Sequence, residues 1–358
     1  MLNYTLERQK FLSYVKFFGL QYHNLGKLKK MGKKRVLTGI RPSGLPHLGN
    51  YFGAIRPAIE LQKDYELFLF MADFHALNMP EMTGVMMGEE SLLLAATLLG
   101  CGLDPNKHCF YSQSAVPETC ELAWIISCIA PYGFMTRAHS FKDAQAKGVE
   151  INMGVFNYPL LMAADILLYD ADVVPVGQDQ KQHLEMTRDF AIRCNNRFGE
   201  IFKVPEPLIS DAVATVPGID GEKMSKSKNN VISIFNNDSG WKKQVMSIVT
   251  DAKTLEEPKN PETCNVFAIY KVIAAPHEVE EMASKYRKGG YGYGHAKQEL
   301  LQKIKDTFTP MRDRYDDWLK RPADLKDLIH TGSKKVRSLA TQKMNFVQEK
   351  LGFIGRPF

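Results

Sequence analysis

No stretch of this chain approaches the roughly 18–20 uninterrupted apolar residues that a membrane-crossing helix needs, so the sequence reads as that of a protein without such a span. Its six cysteines (Cys101, Cys109, Cys120, Cys128, Cys194, Cys264) include no CxxC pair and fall at no metal-ligand spacing. A chain this long has no need of disulfide staples, so a reducing, cytoplasmic setting is expected and no protein-held metal is expected. With 26 Gly and 18 Pro in 358 residues it is too poor in both to be collagen-like or of low complexity, and no internal repeat is found. Acidic side chains are nearly missing from its first 35 positions, where Glu7 stands alone.

What is present is the balance of a folded enzyme: 44% hydrophobic and 24% charged residues, enough for one large or two ordinary domains. The net charge of +6 is local. Nine basic residues against Glu7 leave +8 in residues 1–35 and −2 in residues 36–358, so any nucleic acid is expected to be gripped by a patch rather than by an overall field. The basic leader, residues 1–31, carries three readings. It is an ordinary leader ahead of a working start at Met31, an amphipathic targeting peptide, or a functional arm.

From Arg35 onward strand and helix signals alternate. Strands are expected at Val36–Ile40, Glu66–Ala72, His108–Gln113 and Asp172–Val176, with helices at Leu48–Lys63, Gly88–Gly100, around Ala123–Ile129, Pro159–Tyr169 and Gln180–Arg197. A basic loop is expected over Arg137–Gly148. This spacing predicts an α/β fold, a doubly wound Rossmann-type parallel sheet over residues 32–217 with its ligands at the carboxyl ends of the strands. After about Pro217 the texture turns to one Gly/Ser/Lys/Asn loop and then helices, marking a smaller helical domain over residues 218–358 whose last helices could pack back on the first. Trp124, Trp241 and Trp318 read as packing residues.

Two segments carry phosphate chemistry. Pro42–Asn50 (PSGLPHLGN) follows a strand and opens a helix, where unpaired amides and the positive end of the helix dipole favour an anion. There Gly49 would let a ligand approach the backbone, and His47 and Asn50 could donate to phosphate oxygens; His47 serves equally as a cap. Lys223–Ser227 (KMSKS) sets two lysines three apart in a flexible loop, able to close on β- and γ-phosphates or simply to be solvated. HLGN after the first strand together with KMSKS after the sheet domain resembles the paired signature of class I aminoacyl-tRNA synthetases.

The resemblance narrows at Tyr158–Gln182 (YPLLMAADILLYDADVVPVGQDQKQ), Thr38–Gly44 (TGIRPSG) and Ala72–Leu77 (ADFHAL), which are similar to the bacterial-type tryptophanyl branch. The residues agree independently. With Pro159 at the first helical position, Tyr158, Met162 and Asp165 share one helix face. An indole has one polar atom, a donor, so its pocket needs one acceptor in an apolar wall; Asp165 supplies it, Met162 a soft contact, and Ile166, Val174 and Val176 the lining. The other reading of Asp165 is a local cap or pair. Gln in place of Met162 would suit a phenol instead.

The resemblance implies a catalytic set of Lys223, Lys226, Ser227, His47 and Asn50. It implies ATP contacts from Arg41, Ser43, His47, Gly49, Asn50, Lys142, Gly177, Asp179 and Lys223–Ser227, including Met224 and Ser225. Tryptophan would be held by Thr38, Arg41, His75, Tyr158, Met162, Asp165, Ile166, Val174, Val176 and Gln180, with Tyr158 and Gln180 on its amino group and Arg41 on its carboxylate. Asp179 reads evenly as a helix N-cap or as an acceptor for a ribose hydroxyl. Lys142 reads as a phosphate ligand or a solvated loop lysine. The implied activity is ATP-dependent tryptophan activation and transfer to tRNA(Trp), with Mg²⁺ riding on the phosphates and a homodimer as the working unit. The alternatives are a tyrosine enzyme of the same class, a non-synthetase nucleotidyltransferase, and a catalytically silent RNA-binding paralogue.

Overall fold

Five short apolar runs become neighbouring parallel strands: β1 (Arg35–Ile40), β2 (Glu66–Met71), β3 (Cys109–Ser112), β4 (Val173–Val176) and β5 (Glu206–Ile209). They are seen in a computed structural model that describes residues 33–146, 148, 150–177, 180–209 and 216–354. The leader, residues 1–31, lies outside the described residues. The sheet order is β3-β2-β1-β4-β5 with every pairing parallel. The direction of strand addition reverses between β1 and β4, so the crevice for ligands opens beyond the carboxyl ends of those two strands. β5 has no counterpart in the sequence expectations, because its four residues, EPLI, carry a proline and sit at an edge where pairing, not propensity, makes the strand.

The helices on and around the sheet are α1 (Leu48–Asn50), α2 (Arg56–Glu60), α3 (Asp73–Ala76), α4 (Gly84–Gly100), α5 (Glu118–Ser127), α6 (Tyr132–Met135), α7 (His139–Ala146), α8 (Met153–Leu167) and α9 (Lys181–Phe198). Between α1 and α2 the chain makes a π-helical turn, Tyr51–Ile55, in which the Arg56 amide donates to the Tyr51 carbonyl. Pro57 explains it: with no N–H to give the Gly53 carbonyl, the ladder must widen locally.

Two expectations in this region are corrected. Pro159 is not the first residue of its helix. The Asn152 side chain accepts from the Val155 amide and starts α8 six residues earlier than expected, leaving Pro159 buried inside it. The segment expected as a basic loop holds α7. Its first amide, on His139, donates to the Gln182 side chain of α9 at 2.7 Å, and its Phe141 ring meets Phe156 of α8 edge-on at 5.4 Å. Both partners lie outside the segment, so its own composition hid the helix.

Downstream come α10 (Asp238–Met246), α11 (Asn265–Ile273), α12 (Pro276–Lys288), α13 (Tyr293–Leu319) and α14 (Pro322–Leu351). One apolar cluster runs from Val36 and Leu48 through Trp241 and Phe267 to Phe308 and Leu325, and a second from Phe68 and Tyr111 through Leu160 to Val336 and Met344. Residues on both sides of Pro217 therefore share both clusters. α14 lies against the edge strand β3 so closely that a Cβ on Gly332 would stand 1.9 Å from the Phe110 carbonyl oxygen, and the Ser112 amide donates to Ser333 Oγ at 3.3 Å.

Trp241 is fully buried and donates to the Ser233 carbonyl, whereas Trp124 on α5 is 72% exposed, which corrects its reading as a packing residue. Among the described residues no helix is long and apolar enough to cross a membrane.

Candidate active site

The β1 strand delivers the chain to the Pro42–Asn50 loop, whose end is fixed by a reciprocal cap. His47 Nδ1 accepts from the Asn50 amide at 3.3 Å, and the His47 amide donates to Asn50 Oδ1 at 3.1 Å. Burial, reinforced by the nearby Lys226 charge, lowers the His47 imidazole to about 4. The ring is neutral at pH 7, and with Nδ1 accepting, the proton sits on Nε2. His47 is thus a cap and, through its other nitrogen, a neutral donor.

Gly49 is read differently from the structure than from the sequence. What uses its missing side chain is the His47 ring, since a Cβ would lie 2.9 Å from the ring's Cε1 and 3.0 Å from Nδ1.

The Lys223–Ser227 loop is tied to this helix start. The Leu48 amide donates to the Ile232 carbonyl at 2.9 Å and the Ile234 amide to the Pro46 carbonyl at 3.1 Å. Lys226 Nζ donates to the Ser43 carbonyl, and partial burial pulls the ammonium below the usual lysine range while Glu90 pushes it back up. Ser225 and Ser227 share a hydroxyl–hydroxyl bond at 2.9 Å. Buried Asn230 accepts from the Ser225 amide at 2.8 Å and donates to Asp220 at 2.8 Å. Lys223 is exposed beside a one-residue antiparallel bridge to Pro217. The Met224 side chain is buried in the first apolar cluster, so it anchors the loop and leaves only the backbone of this residue for its expected nucleotide contact.

Beside this cleft, at the carboxyl ends of β1 and β4, lies a cavity of about 240 Å³. Thr38, Arg41, His75, Tyr158, Met162, Asp165, Ile166, Val174, Val176 and Gln180, all ten residues expected on one substrate, line it. Leu37, Gly39, Phe70, Ala72 and Pro175 complete the wall and were not expected. Gly39 leaves the space that the Phe70 ring fills, as a Cβ there would fall 2.4 Å from Phe70 Cζ.

The polar end of the cavity is a buried network. Asp165 receives Gln113 Nε2 on both oxygens, at 2.8 and 2.9 Å, and pairs with His75 Nε2 at 3.0 Å. Burial pushes the Asp165 carboxyl up, and these two partners pull it back down. His75 Nδ1 is buried with no hydrogen-bond partner among the described residues. If Nε2 gives its proton to Asp165, Nδ1 is a bare acceptor. Gln113 was missed from the sequence. Its one local signal is that it follows β3 directly, at the end of the sheet where ligands bind.

Around the mouth, the Tyr158 ring stands 4.6 Å from His75 and 5.3 Å from His183, and Gln180 Oε1 meets His183 Nδ1 at 3.1 Å. A second cavity, about 510 Å³, shares Arg41, His75, Tyr158 and Gln180 and adds Asn78, His139, Ser140 and Asp143. Lys142 is exposed on α7 and lines neither, so the structure does not bring it to the other candidates. The Gly177 carbonyl accepts from the Gln180 amide at 3.1 Å; Asp179 lies outside the described residues. Among the described residues there is no group of three or more His, Cys, Asp or Glu able to hold a metal ion.

With the geometry in place, the chain can be set against known proteins. A family model for tRNA synthetases class I (W and Y) matches residues 29–309. The tryptophan--tRNA ligase of Fusobacterium nucleatum is 48% identical over 323 residues, 90% of this chain and 99% of that protein. The crystal structure of the tryptophanyl-tRNA synthetase from Campylobacter jejuni, complexed with ADP and tryptophan, superposes with a TM-score of 0.83 at 46% identity, covering 89% of this chain and 100% of that one.

Proposed function

The chain belongs to the class I tRNA synthetases for tryptophan and tyrosine, and from that premise we propose that it joins L-tryptophan to tRNA(Trp) by way of tryptophanyl-adenylate. The observation that carries the amino-acid choice is Asp165, a buried acceptor at the polar end of a largely apolar slot, beside Met162. A carboxylate has about four lone-pair sites and Gln113 and His75 occupy three, so one donor more can be accommodated. An indole N–H is a donor only. A phenol would also ask for a donor, which Met162 does not supply.

ATP lies between the His47–Asn50 helix start and the Lys223–Ser227 loop. The tryptophan carboxylate attacks the α-phosphorus in line, the α–β bridging bond breaks, and pyrophosphate leaves. The nucleophile is already an anion, so no side-chain base is required and catalysis is positioning with charge stabilisation. His47 Nε2–H donates to a phosphate oxygen without adding charge, and Lys226 and Lys223 meet the charge that grows on the departing pyrophosphate. Mg²⁺ enters as part of the nucleotide substrate, its ligands being phosphate oxygens and water. Tyr158 and Gln180 take the α-amino group and Arg41, where the two cavities join, the carboxylate.

Residues 218–358 are proposed to read the tRNA, and residues 32–217 to carry the chemistry. The working unit is a homodimer, a reading supported by two large aromatics left exposed on this chain, Trp124 and Tyr132. Six unpaired thiols suit the cytoplasm as its setting.

Exchange of labelled pyrophosphate into ATP, run with each of the twenty amino acids, tests the reading. Stimulation by tryptophan alone is expected. Stimulation by tyrosine alone would replace the substrate, exchange without an amino acid would indicate a nucleotidyltransferase, and no exchange a silent paralogue.

A further inference from the structure

Glu90 belongs to neither phosphate motif, yet its side chain faces both. It projects from α4 toward the loop after β1, and both of its carboxylate oxygens lie 3.5 Å from the point that a Gly44 Cβ would occupy. Lys226 Nζ is 3.0 Å from that same point while it donates to the neighbouring Ser43 carbonyl. Gly44 has φ +79°, a left-handed conformation, and with no side chain it leaves the two opposite charges sharing one small berth. Glu90 Oε2 is buried and has no hydrogen-bond partner among the described residues. A buried carboxylate oxygen without a donor is costly unless a cation stands close, and Lys226 is the cation whose ionisation feels Glu90.

We propose that Glu90 is a positioning residue for Lys226: it holds the loop lysine docked on Ser43 between turnovers, and an incoming triphosphate must draw the lysine away from it. This rests on the reading of Lys226 as the group that meets pyrophosphate. The berth lies at the mouth of the nucleotide cleft, since Ser43 and Gly44 lead into the His47 cap. A triphosphate arriving there presents several negative charges, outcompetes one carboxylate for the ammonium, and at the same time is repelled by Glu90. Both effects act on ATP binding and neither touches the tryptophan cavity, whose lining includes no residue of the berth.

The isosteric change Glu90→Gln removes the charge and keeps the shape. In pyrophosphate exchange it should lower KM for ATP about threefold to tenfold and leave KM for tryptophan unchanged, the difference shrinking at high salt as like-charge and opposite-charge effects are screened. Glu90→Asp should stay near wild type. The change should have a distinctly smaller effect in a Lys226→Met background, where only the direct repulsion of phosphate remains, because the cycle isolates the Glu90–Lys226 coupling. Without nucleotide, trypsin should cut the Lys223–Lys228 loop several-fold faster in Glu90→Gln than in wild type, a readout that stands even if no amino acid supports exchange. An unchanged or raised KM for ATP, a parallel shift for tryptophan, or equal loop cleavage in both proteins would overturn the proposal. So would an undiminished Glu90→Gln effect in the Lys226→Met background, which would assign the residue to direct repulsion of phosphate.

Discussion

Gly49→Ala is a change that should spare the fold and cost the activity. Alanine gains about 0.8–1 kcal/mol over glycine in a helix interior, less here because Gly49 is the second residue of its helix. Against this, the new methyl would stand 2.9 Å from His47 Cε1, so the imidazole must retreat by at least half an ångström to reach ordinary contact. That retreat breaks the His47–Asn50 cap, a loss of about 1 kcal/mol. The two effects nearly cancel, and stability should stay within about 1 kcal/mol of wild type. In the proposed mechanism, however, the ring's Nε2–H is aimed at phosphate by that same cap. A displacement of about 1 Å at a positioned catalytic group costs on the order of 100-fold in rate, or about 2.7 kcal/mol. Denaturant unfolding and pyrophosphate exchange at saturating tryptophan, measured on one preparation, give both quantities. If kcat/KM for ATP stayed within twofold of wild type, the placement of His47 by Gly49 would have no role in catalysis. If stability fell as far as the rate, the argument for separate effects would fail.

Lys226→Ala should slow adenylate formation by about 2–4 kcal/mol of transition-state stabilisation with KM for tryptophan nearly unchanged, and equal losses in both would contradict its assignment. Asp165→Asn keeps the shape but turns an amide NH₂ toward Gln113 or the ligand; tryptophan binding should weaken by roughly 1.5–3 kcal/mol, and an unaltered KM for tryptophan would remove Asp165 from the site. For His47 the folded value, about 4, lies below the unfolded 6.5, so the unfolded chain takes up the proton first. The His47 contribution to stability should therefore fall as pH drops from about 6.5 to 4, by up to about 3 kcal/mol, and be level below that. Denaturation curves of wild type and His47→Asn that ran parallel over this window would disprove it. Gly332→Ala, whose methyl would collide with the Phe110 carbonyl, should destabilise by about 3 kcal/mol or more, and a wild-type unfolding midpoint would mean that α14 moves freely off β3.

The parts of the site that were legible in the sequence are those whose chemistry is local. A proline-rich turn into a capped helix, a lysine pair in a Ser-rich loop, and an acid seven residues from a tyrosine on one helix face can each be recognised from a short window; the full set of ten residues that line one cavity was implied by the family resemblance. What was not legible depends on partners far along the chain. Gln113 matters because it meets Asp165, 52 residues away, and α7 exists as a helix because Gln182 caps it from 43 residues away. Trp124 was misread because hydropathy says that a side chain is apolar but not whether the fold will bury it. The displaced start of α8 shows local signals in conflict, where Asn152 as a cap outweighed Pro159 as a first residue.

The covering of β3 by α14 has a consequence for biosynthesis. Ser112 and Ser333 are 221 residues apart, which at translation speeds of about 5–20 residues per second is a delay of roughly 11–44 s. Throughout that delay the newly made strand that leads into Gln113 has one bare flank, open to pairing with a neighbouring nascent chain. Polysomes crowded with this message are where such mispairing would begin, and a ribosome-associated chaperone that shields Cys109–Ser112 would raise the yield of competent enzyme more than one acting after release.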